Sequence, residues 1–96
     1  MANETNIPVL VTTAHRGVFF GYAEPDKISS KESITLQRVR CCIYWAADVG
    51  GFLGLASKGP SVGCKIGTEA TEVLLHDITS VTRCTEQAAA AWGSFQ

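Results

Sequence analysis

The sequence PVLVTTAHRGVFFGYAE at residues 8–24 contains two apolar runs on either side of a short connection. Pro8–Thr13 and Val18–Glu24 are each predicted to be a strand, because β-branched and aromatic residues favour extended chains. Ala14–Gly17 is short and contains a glycine, which is typical of a hairpin turn. Gly21 within the second strand predicts a bend of the kind that curls a small barrel.

Ser33–Trp45 is the longest strand-like run that follows the hairpin. Its apolar residues change parity between Leu36 and Val39, which predicts a bulge or a break near Gln37-Arg38. Beyond that point, Cys41–Trp45 is expected to be buried on both faces, either at a subunit contact or under a helix.

The remaining elements are predicted from turn residues, short apolar runs and helix signals. In chain order they are a turn at Asp48–Gly51, a strand at Phe52–Ser57 that makes a second hairpin, an irregular loop at Lys58–Ala70, a strand at Glu72–His76, a single helical turn at Asp77–Thr79, a strand at Ser80–Cys84, and a helix at Gln87–Trp92 with Thr85 as its N-cap and Gly93 as its stop.

A chain of 96 residues is expected to form one domain, over residues 8–96, behind a disordered polar tail at residues 1–7. Five or six short antiparallel strands must close or associate to protect their edges. The fold class predicted is therefore mainly β, a small SH3-like or OB-like antiparallel barrel with a short C-terminal helix. The single turn before the last strand favours the SH3-like type, and a β-sandwich with a docked helix is the alternative.

Charged residues make up only 18% of the chain, against about 25% in a typical soluble domain, and the net charge is −1. The low charge predicts a homo-oligomer, with Phe52, Leu53 and Leu55 at the interface. The acidic balance argues against a nucleic-acid binder. No apolar run is long enough for a transmembrane helix, and the N-terminus does not resemble a secretory signal, so a cytoplasmic location is expected.

The four cysteines are Cys41, Cys42, Cys64 and Cys84. In a reducing compartment they are expected to be small buried apolar side chains rather than disulfide partners or zinc ligands. No paired carboxylates and no hydrolase or metalloprotease motif occur, so neither an enzymatic activity nor a cofactor is predicted.

Residues 45–67 hold six of the nine glycines, interleaved with apolar side chains. Such a segment predicts a close approach of the backbone to a strand, a subunit or a ligand. Backbone N–H groups in a glycine-rich concavity can bind an anion, and a nearby lysine adds charge. The predicted ligand-binding residues in this loop are Ser57, Lys58, Gly59 and Lys65. Arg16 or Arg40 would contribute further charge, and Tyr22 or Trp45 would stack on a base.

The motifs at residues 11–22, Tyr44-Trp45, residues 51–60 and Cys64–Gly67 resemble those of a family of small bacteriophage and prophage proteins without an agreed activity. The similar region runs from about Pro8 to Trp92. This resemblance implies a phage origin and expression in the bacterial cytoplasm, and it supplies no catalytic or binding residue.

The function predicted is that of a non-enzymatic, homo-oligomeric binding protein that sequesters a small anionic ligand, such as a nucleotide signal of host defence. The first alternative is an inhibitor or adaptor that binds a host protein through an apolar surface around Phe52 and Leu53. The second is a small nucleic-acid-binding barrel, against which the acidic pI weighs.

Overall fold

The computed structural model describes residues 6–14, 17–24, 33–45 and 50–95, apart from the side chain of Phe52. These residues form six antiparallel strands and two short helices, which confirms the mainly β fold class with a C-terminal helix. In chain order they are β1 (Ile7–Thr13), β2 (Val18–Ala23), β3 (Ser33–Tyr44), α1 (Gly51–Ser57), β4 (Lys65–Ile66), β5 (Ala70–His76), β6 (Ile78–Arg83) and α2 (Glu86–Ser94). Of the tail predicted at residues 1–7, only Asn6 and Ile7 are described, and Ile7 already belongs to β1.

The strands form one sheet in the order β4-β3-β2-β1-β6, and β5 also pairs with β3. The predicted β1–β2 hairpin is confirmed, with Ile7 opposite Ala23 and Thr12 opposite Val18. The other predicted hairpin is wrong, because the partners of β3 are β2, β4 and β5. The long β3 strand therefore joins the hairpin to the second half of the chain.

The sheet is barrel-like but does not close by hydrogen bonding among the described residues, where β6 lies at one edge and β4 and β5, which both pair with β3, lie at the other. Strands β5 and β6 are joined by the single residue Asp77, which has a φ of 56° and passes the chain from one to the other. The helical turn predicted at Asp77–Thr79 is wrong, since Ile78 already begins β6. Aspartate tolerates the left-handed conformation better than most residues, so one residue is enough for the change of direction.

The predicted irregularity near Gln37-Arg38 is confirmed as a β-bulge. Phe20 lies opposite Arg40, but Tyr22 lies opposite Gln37, so β3 has one extra residue between these two pairs. Arg38 has a φ of 53°. Gly21 faces the bulge, and a Cβ there would lie 2.8 Å from Leu36 Cβ. A glycine is required because the two strands approach so closely.

Both faces of the sheet are apolar, and each covers its own cluster of buried residues. The first cluster lies under the two helices and consists of Leu10, Val18, Phe20, Cys42, Leu55, Ala56, Cys64, Ala88 and Trp92. The second lies on the other face and consists of Val9, Val11, Ala23, Ile34, Leu36, Val39 and Leu75. The parity change in β3 is explained by the bulge, which lets Leu36 and Val39 face the same cluster.

Residues 52–57 belong to helix α1, so the strand predicted at Phe52–Ser57 is wrong. Gly50, the N-cap, and Gly51, the first helical residue, have φ values of 81° and 77°, in the left-handed region that suits glycine. Leu55 and Ala56 are buried in the first cluster while Leu53 is exposed. Burial of one face against α2 stabilises a helix in which leucine and alanine offset the cost of the glycines.

The predicted N-cap of helix α2 is confirmed, because the Thr85 hydroxyl accepts the N–H of Ala88 at 3.0 Å. The helix begins at Glu86, one residue before the predicted start at Gln87. The helix runs through Gly93 to Ser94, so the predicted stop at Gly93 is wrong. Within the protomer, Cys41–Trp45 is not buried on both faces, because Ile43 and Tyr44 are 67% and 58% exposed. In the described part of the chain, no helix has the length and apolar character needed to span a membrane.

Candidate functional site

The glycine-rich loop predicted to bind an anion follows α1 and runs through the short strand β4 to Gly67. Gly59 is buried at its start, with a φ of 88°, and a Cβ there would lie 2.5 Å from Ala91 Cβ. The hydroxyl of Ser57 donates to the Leu53 carbonyl within α1. Lys58 and Lys65 are exposed. This glycine therefore allows α1 and α2 to pack closely, and the two lysines are the charges that the loop presents to solvent.

Arg40, a predicted ligand residue, instead holds three backbone carbonyls. Its Nε donates to the Gly67 carbonyl at 2.9 Å, and its Nη1 donates to those of Trp92 at 2.8 Å and Phe95 at 2.9 Å. A cation suits the C-terminal end of a helix, where carbonyl groups lack helical partners. Arg40 thus fixes the end of α2 and the end of the glycine-rich loop to β3.

The aromatic residues predicted to stack on a base are partly used in the core. Phe20 stacks on Trp92 with ring centroids 5.1 Å apart, and meets Tyr22 edge-on at 5.5 Å. Trp45 is half-buried against the first cluster. Arg16 lies outside the described residues. Of the predicted interface residues, Leu53 is exposed, Leu55 is fully buried inside the protomer, and the side chain of Phe52 is not described. A buried side chain cannot contact a second subunit directly, so Leu55 is corrected to a core residue.

A polar cavity of about 370 Å³ lies at the β3 bulge, lined by Asn6, Tyr22, Gln37, Arg38 and Thr71. We call it the bulge cavity. The Cζ of Arg38 lies 4.9 Å from the centroid of the Tyr22 ring, a cation–π arrangement. Arg38 is exposed at this position. The bulge cavity therefore combines an aromatic ring, an exposed guanidinium group and two side-chain amide groups.

Asn6 adds an unsatisfied acceptor to the wall of this cavity. Among the side chains that the structure describes, its Oδ1 is the one buried polar atom without a hydrogen-bond partner. An acceptor shielded from water costs free energy unless a donor reaches it. A ligand carrying an N–H or O–H group could supply that donor.

A second, larger concavity of about 800 Å³ lies between the glycine-rich loop and α2. Its lining is mostly apolar and consists of Pro60, Ser61, Val62, Cys64, Ala91, Ser94 and Phe95. We call it the loop groove. The side chain of Val62, at the tip of the loop, is fully exposed. The segment singled out by its glycines therefore does form a concave surface, but one without a built-in positive charge.

All four cysteines are free, and the surroundings of three of them favour the neutral thiol. Burial raises the pKa of Cys84 to about 12. Burial, together with the neighbouring Cys64 and Cys41, raises the pKa of Cys42 to about 11. Burial also raises the pKa of Cys41. A nucleophilic cysteine requires a lowered thiol pKa, so these three are poorly suited to catalysis.

Cys64, the one cysteine in the glycine-rich loop, is buried with its Sγ 3.8 Å from Ser61 Oγ. Across residues 6–14, 17–24, 33–45 and 50–95, no three histidine, cysteine or acidic side chains are grouped in a way that could hold a metal ion.

The residues of the bulge cavity were mostly missed from the sequence, because only Tyr22 was among the predicted site residues. The available signal was the parity change at Gln37-Arg38, since bulges often lie beside binding sites. Asn6 and Thr71 reach the same place from elements that are distant in sequence, and no local pattern connects them to it.

One family model matches the chain, over residues 6–92, and its description is a domain of unknown function, DUF6948. The match spans nearly the same residues as the resemblance found in the sequence, and it agrees with a family that has no assigned activity. No curated protein and no solved structure matches the chain.

Proposed function

The chain belongs to the DUF6948 family, and we propose from its own geometry that it is a non-enzymatic binding protein for a small anionic ligand with a planar group, such as a nucleotide. The observation that carries the proposal is the guanidinium group of Arg38 over the Tyr22 ring at the bulge cavity. This moves the site from the glycine-rich loop, where Arg40 is held by backbone carbonyls, to the bulge of β3.

The size and chemistry of the bulge cavity support this ligand class. Ligand cavities typically measure about 300–1,000 Å³, and this one lies within that range. Guanidinium planes and aromatic rings are the groups on which nucleobases stack. Arg38 supplies the charge for a phosphate, Gln37 and Thr71 supply hydrogen bonds, and Asn6 Oδ1 can accept from a base N–H. These groups bind a ligand and do not transform it.

The biological setting remains part of the proposal. In this proposal the protein has the phage origin that the family resemblance implies and acts in the bacterial cytoplasm, a reducing compartment in which its four cysteines would stay free. A small protein that binds a nucleotide signal of host defence would oppose that defence by mass action, because it lowers the free concentration of the signal. Self-association of the protein, expected from its low charge, is part of the same proposal.

The test is a thermal-shift and calorimetric screen of the full chain against linear and cyclic nucleotides, with inorganic phosphate as a separate probe. A ligand at 100 times its Kd stabilises the folded state by about 2.7 kcal/mol. Arg38→Gly removes the charge at a φ of 53° that suits glycine, so we expect the fold to survive. Affinity should then fall at least tenfold.

The matched control is Arg83→Ala, which removes an exposed arginine from β6 outside the cavity lining. We expect it to leave nucleotide affinity within a factor of two. If Arg38→Gly binds as well as the unchanged protein, the bulge cavity is not the site. If no nucleotide binds at all, the ligand class itself is wrong.

A second candidate function is supported by the loop groove. Its apolar lining and the fully exposed Val62 suit a protein partner that covers apolar surface. This corresponds to the inhibitor or adaptor expected from the sequence, with the surface centred on Val62 rather than on Phe52 and Leu53. Val62→Glu should abolish binding of such a partner without affecting nucleotide affinity, and a nucleotide complex that Val62→Glu disrupts would contradict this division.

A further inference from the structure

Strand β5 (Ala70–His76) forms an open edge of the sheet. In the described residues it pairs with β3 along one side, and no strand covers its other side. An uncovered edge presents backbone N–H and C=O groups that can pair with another chain. Natural edges are usually protected by proline, by a bulge or by a central charge. Strand β5 has neither a proline nor a bulge, and its one acidic residue is Glu72, beside the central Val73.

The side chains of β5 divide cleanly between its two faces. Leu75 is buried in the second cluster and Val73 packs against it. Glu72, Leu74 and His76 point to the other face and are exposed. Leu74 is 53% exposed, and its neighbours across β3 on that face are polar, with Thr35 directly opposite. A large apolar side chain thus lies at the centre of an otherwise polar edge.

The order of these side chains makes the strand complementary to itself. We propose that β5 pairs antiparallel with β5 of a second copy of this chain, about a two-fold axis at Leu74. In that register Leu74 meets Leu74 of the partner subunit, and Glu72 faces His76 of the partner subunit. The symmetry repeats the carboxylate–imidazole pair on either side of the axis, so every exposed side chain on this face of the new ladder has a suitable partner.

The neighbouring register is less favourable. An axis at Val73 would place Glu72 opposite Leu74 of the partner subunit and Ala70 opposite His76 of the partner subunit. It would bring a carboxylate against an apolar side chain and leave the imidazole without an acidic partner. The pairing of carboxylate with imidazole and of leucine with leucine therefore selects the axis at Leu74.

The experiment measures the mass of the full chain by light scattering across a dilution series, with circular dichroism to confirm folding. The unchanged protein should have twice the protomer mass. Leu74→Lys places two like charges on the axis and should weaken dimerisation at least 100-fold. Leu53→Lys, the same change at a 60% exposed leucine on α1, is the matched control and should leave the dimer intact.

Charge exchange tests the register itself. Glu72→Lys and His76→Glu should each weaken the dimer at least tenfold. The first places a lysine opposite the imidazole of the partner subunit, and the second places two carboxylates opposite one another. The double variant Glu72→Lys with His76→Glu should restore it. Any one of four results would overturn the proposal. They are a monomer at all concentrations, an oligomer larger than a dimer, dissociation by Leu53→Lys instead of Leu74→Lys, and no rescue in the double variant. None of these outcomes depends on a bound nucleotide.

Discussion

Gly59 illustrates, at the scale of a single residue, a sequence signal whose physical cause differs from the expected one. Gly59 lies in the segment that was expected to approach a ligand, and its backbone does approach something closely. The neighbour is α2, since a Cβ at Gly59 would lie 2.5 Å from Ala91 Cβ and 3.2 Å from the Ala88 carbonyl oxygen. The glycine is required by helix packing.

Gly59→Ala should therefore destabilise the fold by about 2–5 kcal/mol, because a left-handed φ costs about 1–2 kcal/mol for alanine and overpacking adds about 1–3 kcal/mol. Gly50→Ala is the matched control: its φ is 81°, but a Cβ there has nothing within 4 Å. Gly50→Ala should therefore lower the free energy of unfolding only by the conformational cost of about 1–2 kcal/mol. Urea denaturation of both variants separates the two contributions, and equal losses would show that packing against Ala91 is unimportant.

At the scale of elements, Arg40 joins β3 to the end of α2 and to the end of the glycine-rich loop. Arg40→Met keeps the length of the side chain but removes the charged donors. We expect a loss of about 2–4 kcal/mol in the free energy of unfolding, since a hydrogen bond from a charged group contributes about 1.5–3 kcal/mol and such contributions are not additive.

Arg83→Met, at an exposed position of β6, is the control for Arg40→Met, and it should change stability by less than about 0.5 kcal/mol. Chemical denaturation gives both values. If Arg40→Met were as stable as the control and nucleotide binding were lost instead, Arg40 would be a ligand residue, as the sequence suggested, and the bulge cavity would not be the whole site.

The predictability of each element followed the range of the interactions that form it. The β1–β2 hairpin and the Thr85 cap rest on neighbouring residues, and both were found from the sequence. The bulge was found because it changes the parity of β3. Helix α1 was missed because its short apolar run fits a strand equally well, and burial of Leu55 and Ala56 against distant residues decides the outcome. The bulge cavity was missed for the same reason, since Asn6 and Thr71 come from separate elements.

At the scale of the whole molecule, the proposed ligand site and the proposed dimer edge lie side by side. Thr71 belongs to β5 and also lines the bulge cavity. Glu72 lies opposite Gln37, another residue of the cavity lining. A strand added to β5 would therefore border the cavity, which fits the expectation that recognition occurs close to a subunit boundary.

The stability of the whole fold should decrease in alkali because of its buried thiols. The pKa of Cys84 is about 12 and that of Cys42 about 11 in the folded chain, against 9.0 for an exposed thiol. Below pH 9 both states are protonated and the full stability is present. Above pH 9 the unfolded chain loses its thiol protons first, so the free energy of unfolding falls until the folded thiols also ionise near pH 11–12.

Urea denaturation under reducing conditions at pH 8 and pH 10.5 measures this decrease. Cys84→Ala removes the thiol with the larger shift, so its free energy of unfolding should fall less between the two pH values than that of the unchanged protein. The comparison cancels every ionisation that the two proteins share. Parallel losses in the two proteins would show that the thiol of Cys84 is not held protonated by burial under the helices.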